Sequence, residues 1–242
     1  MTSDVNIIAR EDHVLEIELN RPEHGNALTP AMAEAISAAL RALDAETRVV
    51  LIGGAGADFC TGRSAAMPAA GARVTALDLR RLISDPVLDF YQILREIPVP
   101  VVTAVRGRAN GVGCAIAALA DVAVAADTAR FQVPEMNHDI APTLVMNALV
   151  DRLPRAVLAR LVLTRDAIPA VEAQALGLIG VVAAADALEG ETQRIVGQLA
   201  RNSVATVRAV KAFLSTAPEA SFASRKELAA LINSVATAER FR

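Results

Sequence analysis

Three glycines separate two apolar segments near the middle of the chain. Residues 101–105 are rich in β-branched side chains and predict a buried strand, whereas residues 114–120 contain no helix breaker and predict a buried helix. Gly107, Gly111 and Gly113 lie between them. Glycine lets backbone N–H groups approach a ligand, and the start of a helix adds unpaired donors at the positive end of its dipole. This arrangement could stabilise an oxyanion, and the same glycines could equally serve close packing of the helix.

Two strand–helix units precede this glycine-rich segment. Residues 14–19 alternate apolar and acidic side chains, which is typical of a half-exposed strand. Thr29 and Pro30 are a capping residue and a first-turn proline, and they predict a helix that ends near Glu46. Residues 49–52 form a second buried apolar run. This repeated pattern of strand, helix and strand predicts an α/β fold with parallel strands.

The rest of the chain is predicted to be mainly helical. Residues 77–97 predict a helix with a break at Pro86, because proline cannot continue the hydrogen-bond ladder of a helix. A strand is predicted at 180–182. Further helices are expected at about 143–150, 154–163, 169–176 and throughout 186–240.

Composition limits the classes of protein that this chain can represent. Its 242 residues are 53% hydrophobic and carry a net charge of −3, which gives no indication of binding to nucleic acid or to an anionic membrane. Cys60 and Cys114 fit no metal-site spacing, and both are expected to be small buried residues. With no signal peptide and no transmembrane run in the sequence, a soluble, cytoplasmic protein without a metal or redox cofactor is expected.

Several ordered motifs resemble the enoyl-CoA hydratase/isomerase (crotonase) superfamily. Residues 105–113 read V-R-G-R-A-N-G-V-G, and after Asp121 residues 129–135 read A-R-F-Q-V-P-E. Both runs are similar to the family's glycine-rich signature and to the motif that follows it. The remaining similar segments are L-N-R-P-E-H-G-N-A-L at 19–28, G-G-A-G-A-D-F-C-T-G at 53–62, L-T-R-D at 163–166 and A-Q-A-L-G-L-I at 173–179.

The resemblance implies a particular architecture. Residues 1–185 are expected to form a crotonase-like spiral of ββα units, and residues 186–242 a helical C-terminal region that ends short of the family's usual length. In the family this region builds the subunit contacts, so a homotrimer or a dimer of trimers is expected.

The resemblance also implies the chemistry. Family members bind acyl-CoA thioesters as substrates, with no tightly bound cofactor, and stabilise the enolate with two backbone N–H groups. The matching donors here are those of Arg63 and Val112, although both side chains differ from those usual in the family. Removal of one donor from such a pair typically costs about 3–4 kcal/mol, so the pair can stabilise an oxyanion by several kcal/mol.

The acid–base positions of the family are only partly filled. Hydratases with two carboxylates carry one glutamate where this chain has Ala115, and a second at the position of Glu135. A third family position, used by some isomerases and by dehalogenases, is Thr143. One carboxylate beside an oxyanion hole can move a proton between Cα and Cγ of an enolate, so the resemblance favours an enoyl-CoA isomerase.

Two functions other than an enoyl-CoA isomerase are also compatible with the sequence. His138 and Asp139 could activate water as a pair, as in the retro-Claisen hydrolases of the superfamily, if Asp139 faces the same cleft as Glu135 four residues before it. The chain could also be a non-catalytic member that binds acyl-CoA, which Ala115 and Val112 would suit.

Coenzyme A recognition is expected from two segments that match the family's contacts. These contacts are predicted at Asn26, Ala27, Leu28, Arg63, Ala65 and Ala66. A lysine is frequent in the family where Ala66 stands, and Arg63 could supply the charge in its place.

Overall fold

A computed structural model describes residues 3–64 and 73–241 of the chain. Its strands are β1 (Val5–Ala9), β2 (Val14–Leu19), β3 (Val49–Gly54), β4 (Val101–Val105), β5 (Arg108–Asn110), β6 (Val122–Ala126), β7 (Arg130–Gln132), β8 (Ile168–Pro169) and β9 (Val181–Ala183). Its α-helices are α1 (Pro30–Arg41), α2 (Ala76–Leu79), α3 (Asp85–Glu96), α4 (Val112–Leu119), α5 (Thr143–Leu149), α6 (Arg155–Thr164), α7 (Ala170–Ala175), α8 (Leu188–Ala200), α9 (Val204–Thr216) and α10 (Phe222–Ala238).

The strands form two sheets. The larger sheet has the order β1-β2-β3-β4-β6-β9, with β1 antiparallel to β2 and every later pair parallel. Val102 of β4 is in register with Leu51 of β3 and with Val122 of β6. The smaller sheet has the order β5-β7-β8. The expected parallel α/β fold is therefore confirmed.

Helices cover both faces of the larger sheet, which explains the uninterrupted apolar runs of its inner strands. Neighbouring residues of β3 point to opposite faces. Val50 and Ile52 belong to the main core, which also contains buried residues of α1, α3 and α4. Val49 and Leu51 belong to a second cluster that includes Ile195 of α8. All five residues of β4 are buried.

The helix around Pro86 differs from its prediction. The chain is helical from residue 76 to residue 96, and the predicted break is wrong. Residues Arg80–Ser84 form a π-helical turn in which the N–H of Asp85 donates to the carbonyl of Arg80. Pro86 is the second residue of α3, where its missing N–H costs little because the wider turn absorbs the change of register.

The other predicted elements lie close to their observed positions. Thr29 caps α1, since its Oγ1 accepts a hydrogen bond of 3.1 Å from the N–H of Met32, but the helix ends at Arg41 and not near Glu46. The final part of the chain is helical from Leu188 onward. The division of the chain at residue 185 stays a prediction. No helix within residues 3–64 and 73–241 is long and apolar enough to cross a membrane.

Candidate active site

Two loops that leave neighbouring parallel strands are joined by backbone hydrogen bonds at one edge of the larger sheet. The loop after β3 donates from Phe59 N to Arg106 O at 2.8 Å and from Cys60 N to Arg108 O at 3.1 Å. In return, Asn110 N donates to Cys60 O at 2.9 Å. This short ladder brings the end of the first loop next to the start of α4.

Two polar side chains, those of Asp58 and Asn26, fix these loops through hydrogen bonds. The Asp58 carboxylate accepts hydrogen bonds from the backbone N–H of Arg108 at 2.9 Å and from its guanidinium at 2.7 and 3.0 Å. The Arg108 guanidinium therefore holds the pKa of Asp58 below its ordinary value. Asn26 is fully buried; its Oδ1 accepts from Arg21 N at 2.8 Å, and its Nδ2 donates to Ala55 O at 2.8 Å and to Asp58 O at 2.7 Å.

The backbone N–H of Arg63 points away from the loop that carries Leu28. Leu28 N donates to Gly62 O, and Ser64 N donates to Leu28 O, both at 2.9 Å. In such a parallel bridge the residue between the two bonded neighbours turns its own N–H to the other side. Within residues 3–64 and 73–241, this N–H has no hydrogen-bond partner.

The backbone N–H of Val112 is the first donor of α4 and lies within the unpaired first turn of the helix. It follows Gly111, whose φ of +52° and ψ of −114° suit glycine alone. Gly113 serves close packing, because a Cβ atom there would lie 2.3 Å from Cys60 O. Gly113 therefore fits the packing interpretation, and Gly111 turns the chain into the helix, whereas the oxyanion interpretation stays a prediction.

Glu135 supplies a carboxylate next to this helix start. It begins a 3₁₀ turn, Glu135–His138, which is separated from β7 by Val133 and Pro134. Its Oε2 atom is enclosed and has no hydrogen-bond partner among the described residues. Burial raises the pKa of Glu135, and its own backbone N–H offsets part of the rise. An unpaired carboxylate of raised pKa is the state expected of a general base.

One cavity of about 310 Å³ contains these groups together. Arg63, Val112 and Glu135 line it, and much of the remaining wall is apolar. A second cavity of about 500 Å³ shares Arg63 and Val112 with it and extends between α1 and α3. Arg63, Val112 and Glu135, the residues predicted from sequence as donors and base, thus line a single, largely apolar cavity.

His138 and Asp139 do not meet as a pair. His138 is exposed at the rim of the cavity, whereas Asp139 is exposed and does not line it. Asp139 has a left-handed φ of 55° and ends the 3₁₀ turn, so it does not continue the helical face of Glu135. In the described part of the chain no ion pair joins the two residues. The left-handed backbone also accounts for the glycine that the family commonly has at this position.

The predicted coenzyme A contacts are distributed differently. Leu28 lines the larger cavity together with Arg63, while Ala27 is half-buried beside it. The Asn26 side chain has no exposed surface, so it belongs to the scaffold that holds the loops. Ala65 and Ala66 lie outside the described residues.

Sequence reasoning missed one functional candidate, Tyr91. It is the only tyrosine of the chain, and its phenol lines the cavity with Glu135. Burial, together with the charge of Glu135, raises the pKa of Tyr91, so its hydroxyl stays a hydrogen-bond donor. The available signal was its spacing four residues after Val87, on the same face of α3.

The position of the first hydratase glutamate is filled by a residue that cannot transfer protons. Ala115 is fully buried in α4. Among residues 3–64 and 73–241, no group of three or more His, Cys, Asp or Glu side chains is arranged to hold a metal ion. Among the described residues that line the reaction cavity, Glu135 is the one with a carboxylate.

Comparisons with known proteins identify the family and the fold. A family model described as enoyl-CoA hydratase/isomerase matches residues 9–238. The 2,3-dehydroadipyl-CoA hydratase of Escherichia coli K12 is 30% identical over 217 residues, which cover 88% of this chain and 82% of that protein. The enoyl-CoA hydratase structure from Mycobacterium smegmatis has a TM-score of 0.90 at 27% identity and covers 97% of this chain and 91% of its own.

A further structure was solved with a ligand. A protein of Thermobifida fusca YX assigned as an enoyl-CoA hydratase, in complex with acetoacetyl-CoA, has a TM-score of 0.85 at 26% identity and covers 98% of this chain and 95% of its own. The fold and site therefore define a crotonase-type α/β protein. The chain belongs to the enoyl-CoA hydratase/isomerase family and is an acyl-CoA enzyme of that general type.

Proposed function

We propose that the protein is an enoyl-CoA isomerase that uses Glu135 as its single acid–base group. The observation that carries the proposal is the shared cavity, which Arg63, Val112 and Glu135 all line and where Oε2 of Glu135 has no hydrogen-bond partner among the described residues. Ala115 at the other family position supports an isomerase over a hydratase, because activating and orienting water usually requires a second group.

The proposed reaction shifts a β,γ double bond to the α,β position. The N–H groups of Arg63 and Val112 donate to the thioester oxygen, and the Glu135 carboxylate removes a proton from Cα. The electron pair of the broken C–H bond spreads onto the thioester oxygen as a dienolate, where the two donors stabilise it. Glu135, now protonated, returns the proton to Cγ, so that neither atoms nor charge are gained or lost.

Coenzyme A is proposed to reach the site through the larger cavity. Leu28 and Arg63 line this cavity, and Arg63 and Val112 also face the reaction site. The acetoacetyl-CoA complex of the Thermobifida fusca relative supports a coenzyme A thioester as substrate. No tightly bound cofactor enters the proposed reaction.

We also propose that the C-terminal helices form the contacts of a homotrimer, or of a dimer of trimers. Val210 and Leu214 of α9 and Leu231 and Val235 of α10 are each more than half exposed. Large apolar side chains exposed along two neighbouring helices are typical of a subunit interface.

The decisive experiment compares the wild type with Glu135→Gln. Calorimetry measures binding of acetoacetyl-CoA, and a spectrophotometric assay measures conversion of a β,γ-enoyl-CoA to its α,β isomer. We expect both proteins to bind, with turnover at least about 100-fold lower in Glu135→Gln, because loss of a general base typically costs 10²–10⁴-fold.

Three outcomes would contradict the proposal. Undiminished turnover in Glu135→Gln would exclude Glu135 as the base. Binding without turnover in the wild type would indicate a non-catalytic acyl-CoA-binding protein. Efficient addition of water to an α,β-enoyl-CoA, without isomerisation, would indicate a hydratase.

A further inference from the structure

Arg63 places a positive charge inside the apolar site. Its side chain is half-buried and lines both the reaction cavity and the larger cavity beside it. Burial lowers the pKa of this guanidinium, and the nearby Tyr91 phenol offsets part of the effect. Within residues 3–64 and 73–241, the guanidinium has neither an ion-pair nor a hydrogen-bond partner.

The surrounding carboxylates leave this charge uncompensated. Glu135 lines the reaction cavity, and Glu34 and Asp89 line the larger one, but none of them lies within ion-pair distance of Arg63 in the described part of the chain. Desolvating a guanidinium without a partner is costly, and an incoming anion would recover that cost.

Tyr91 adds a second donor of the same kind. Its ring is nearly fully buried and packs against Phe90 with ring centroids 6.2 Å apart, so that the phenol is held in place. Its hydroxyl has no hydrogen-bond partner among the described residues, so it can donate to a ligand in the cavity that Tyr91 lines. A guanidinium and a phenol hydroxyl that line the same cavity form a donor set suited to a carboxylate.

We propose that the acyl group of the substrate carries a carboxylate, which Arg63 and Tyr91 bind inside the reaction cavity. The substrate class is then the mono-coenzyme A thioester of a short unsaturated dicarboxylic acid. The inference rests on the proposed function, because it takes the thioester oxygen to lie at the backbone N–H groups of Arg63 and Val112.

The phosphates of coenzyme A are a less suitable partner for the same guanidinium. The pantetheine arm contains two amide links and is about as long as four residues, so it places the phosphates roughly 13 Å from the thioester when extended. Because the backbone N–H of Arg63 itself holds the thioester oxygen, its side chain reaches the acyl group more readily than the phosphates.

Binding of saturated thioesters tests this inference without requiring turnover. Calorimetry compares a linear acyl-CoA with the ω-carboxyacyl-CoA of equal chain length. We expect the wild type to bind the carboxylated ligand about 10- to 100-fold more tightly, as a charge-assisted bidentate contact allows. Arg63→Gln should lose this preference, Tyr91→Phe should lose part of it, and Arg63→Lys should retain part of it.

Arg41→Gln is the matched control, because Arg41 is an exposed cation that lines only the larger cavity. It should keep the preference for the carboxylated ligand. Equal wild-type affinity for both ligands would overturn the inference. Equal weakening of both ligands by Arg63→Gln would also overturn it and would assign Arg63 to a coenzyme A phosphate. Failure of the isomerase proposal would appear separately, as binding with this preference but no turnover.

Discussion

The Glu135 carboxylate lies directly against the backbone of Gly111. A Cβ atom at residue 111 would stand 2.5 Å from Oε1 of Glu135, which is closer than real Cβ contacts allow. Gly111 also immediately precedes Val112, whose N–H is the proposed oxyanion donor. The position of the base and the direction of one donor therefore depend on the same peptide unit.

Gly111→Ala should disrupt both functions at once. The new methyl group would displace Glu135, and alanine is strained at a φ of +52° by about 1–2 kcal/mol. We expect turnover to fall by about 100-fold or more, because a displacement of a reacting group by about 1 Å can reduce the rate by that factor. Steady-state kinetics with a β,γ-enoyl-CoA measures the effect.

Gly190→Ala is the matched control. Gly190 lies in α8, where an added Cβ would meet nothing within 4 Å. This variant should be as active as the wild type and as stable or slightly more so. Wild-type turnover in Gly111→Ala would contradict the close relationship between Gly111 and Glu135.

As the pH is lowered, activity should begin to fall at a higher pH than an ordinary glutamate would cause. Glu135 must be ionised to remove the Cα proton, and burial raises its pKa above the value of about 4.3 that glutamate has in water. The rate kcat/KM should therefore decrease as pH falls through this raised value, and the profile measures it. An acidic limb centred at or below the ordinary value would contradict the burial of the base.

The same carboxylate should destabilise the fold at neutral pH. Burial raises the pKa of Glu135 in the folded state above its pKa in the unfolded chain. The Glu135 side chain therefore contributes to stability at pH values below its unfolded-state pKa, and this contribution is lost as the pH rises through its folded-state pKa. Glu135→Gln should thus melt at a higher temperature than the wild type at pH 7, and the difference should shrink near pH 4. Differential scanning calorimetry measures both conditions, and a constant difference would argue against ionisation as its cause.

Asn26 should contribute to stability and not directly to ligand contact. Asn26→Ala removes the three hydrogen bonds that hold the loops, each worth about 1 kcal/mol, and should lower the free energy of unfolding by about 3 kcal/mol. Urea denaturation measures this change. Asn202→Ala, at the exposed end of α8, should change it by less than about 1 kcal/mol. An equally small effect at Asn26 would contradict its role in the scaffold.

Local features explain what the sequence could predict. The strand at 101–105 and the helix capped by Thr29 follow from apolar patterning and capping, which involve only neighbouring residues. The strands β5, β7 and β8 have two or three residues each, too few to show a period, so the smaller sheet had no sequence signal.

The family resemblance is enough to predict the candidate donors and the base, but their surroundings depend on the fold. The direction of the Arg63 N–H depends on a bridge to Leu28, 35 positions earlier in the chain. The partnerless state of Glu135 depends on what α3 and α4 place around it. Tyr91 likewise becomes a site residue only because α3 and the loop after β7 line the same cavity.

The assembly proposal predicts that sedimentation gives the mass of a trimer, near three times 25.3 kDa. For a dimer of trimers, the mass should be twice that of the trimer. Leu231→Glu places a charge in the exposed apolar group of α10 and should shift the protein to smaller species, because burying a charge at an interface is costly. Ile8→Glu, at a similarly apolar exposed site on the edge strand β1, should keep the wild-type mass. A monomeric wild type would contradict the proposal.

An ion pair between the buried Lys211 and the partly buried Asp121 should determine how firmly α9 is attached to the sheet. Lys211 Nζ lies 2.7 and 3.0 Å from the carboxylate oxygens of Asp121, which also accepts a hydrogen bond of 2.7 Å from the N–H of Val101. Lys211→Met leaves the partly buried Asp121 carboxylate without its cation and should lower the free energy of unfolding by about 1.5–3 kcal/mol, the usual range for hydrogen bonds to charged groups. Denaturant titration measures this loss, and Lys226→Met on the exposed face of α10 is the control.

A double variant separates the cost of the unpaired charge from the loss of packing. Asp121→Asn combined with Lys211→Met removes both charges while the amide oxygen can still accept from Val101 N. If the unpaired carboxylate is the main penalty, the double variant should recover part of the stability that Lys211→Met loses. If the double variant is as unstable as the sum of both single variants, the aliphatic packing of Lys211, and not its charge, attaches α9.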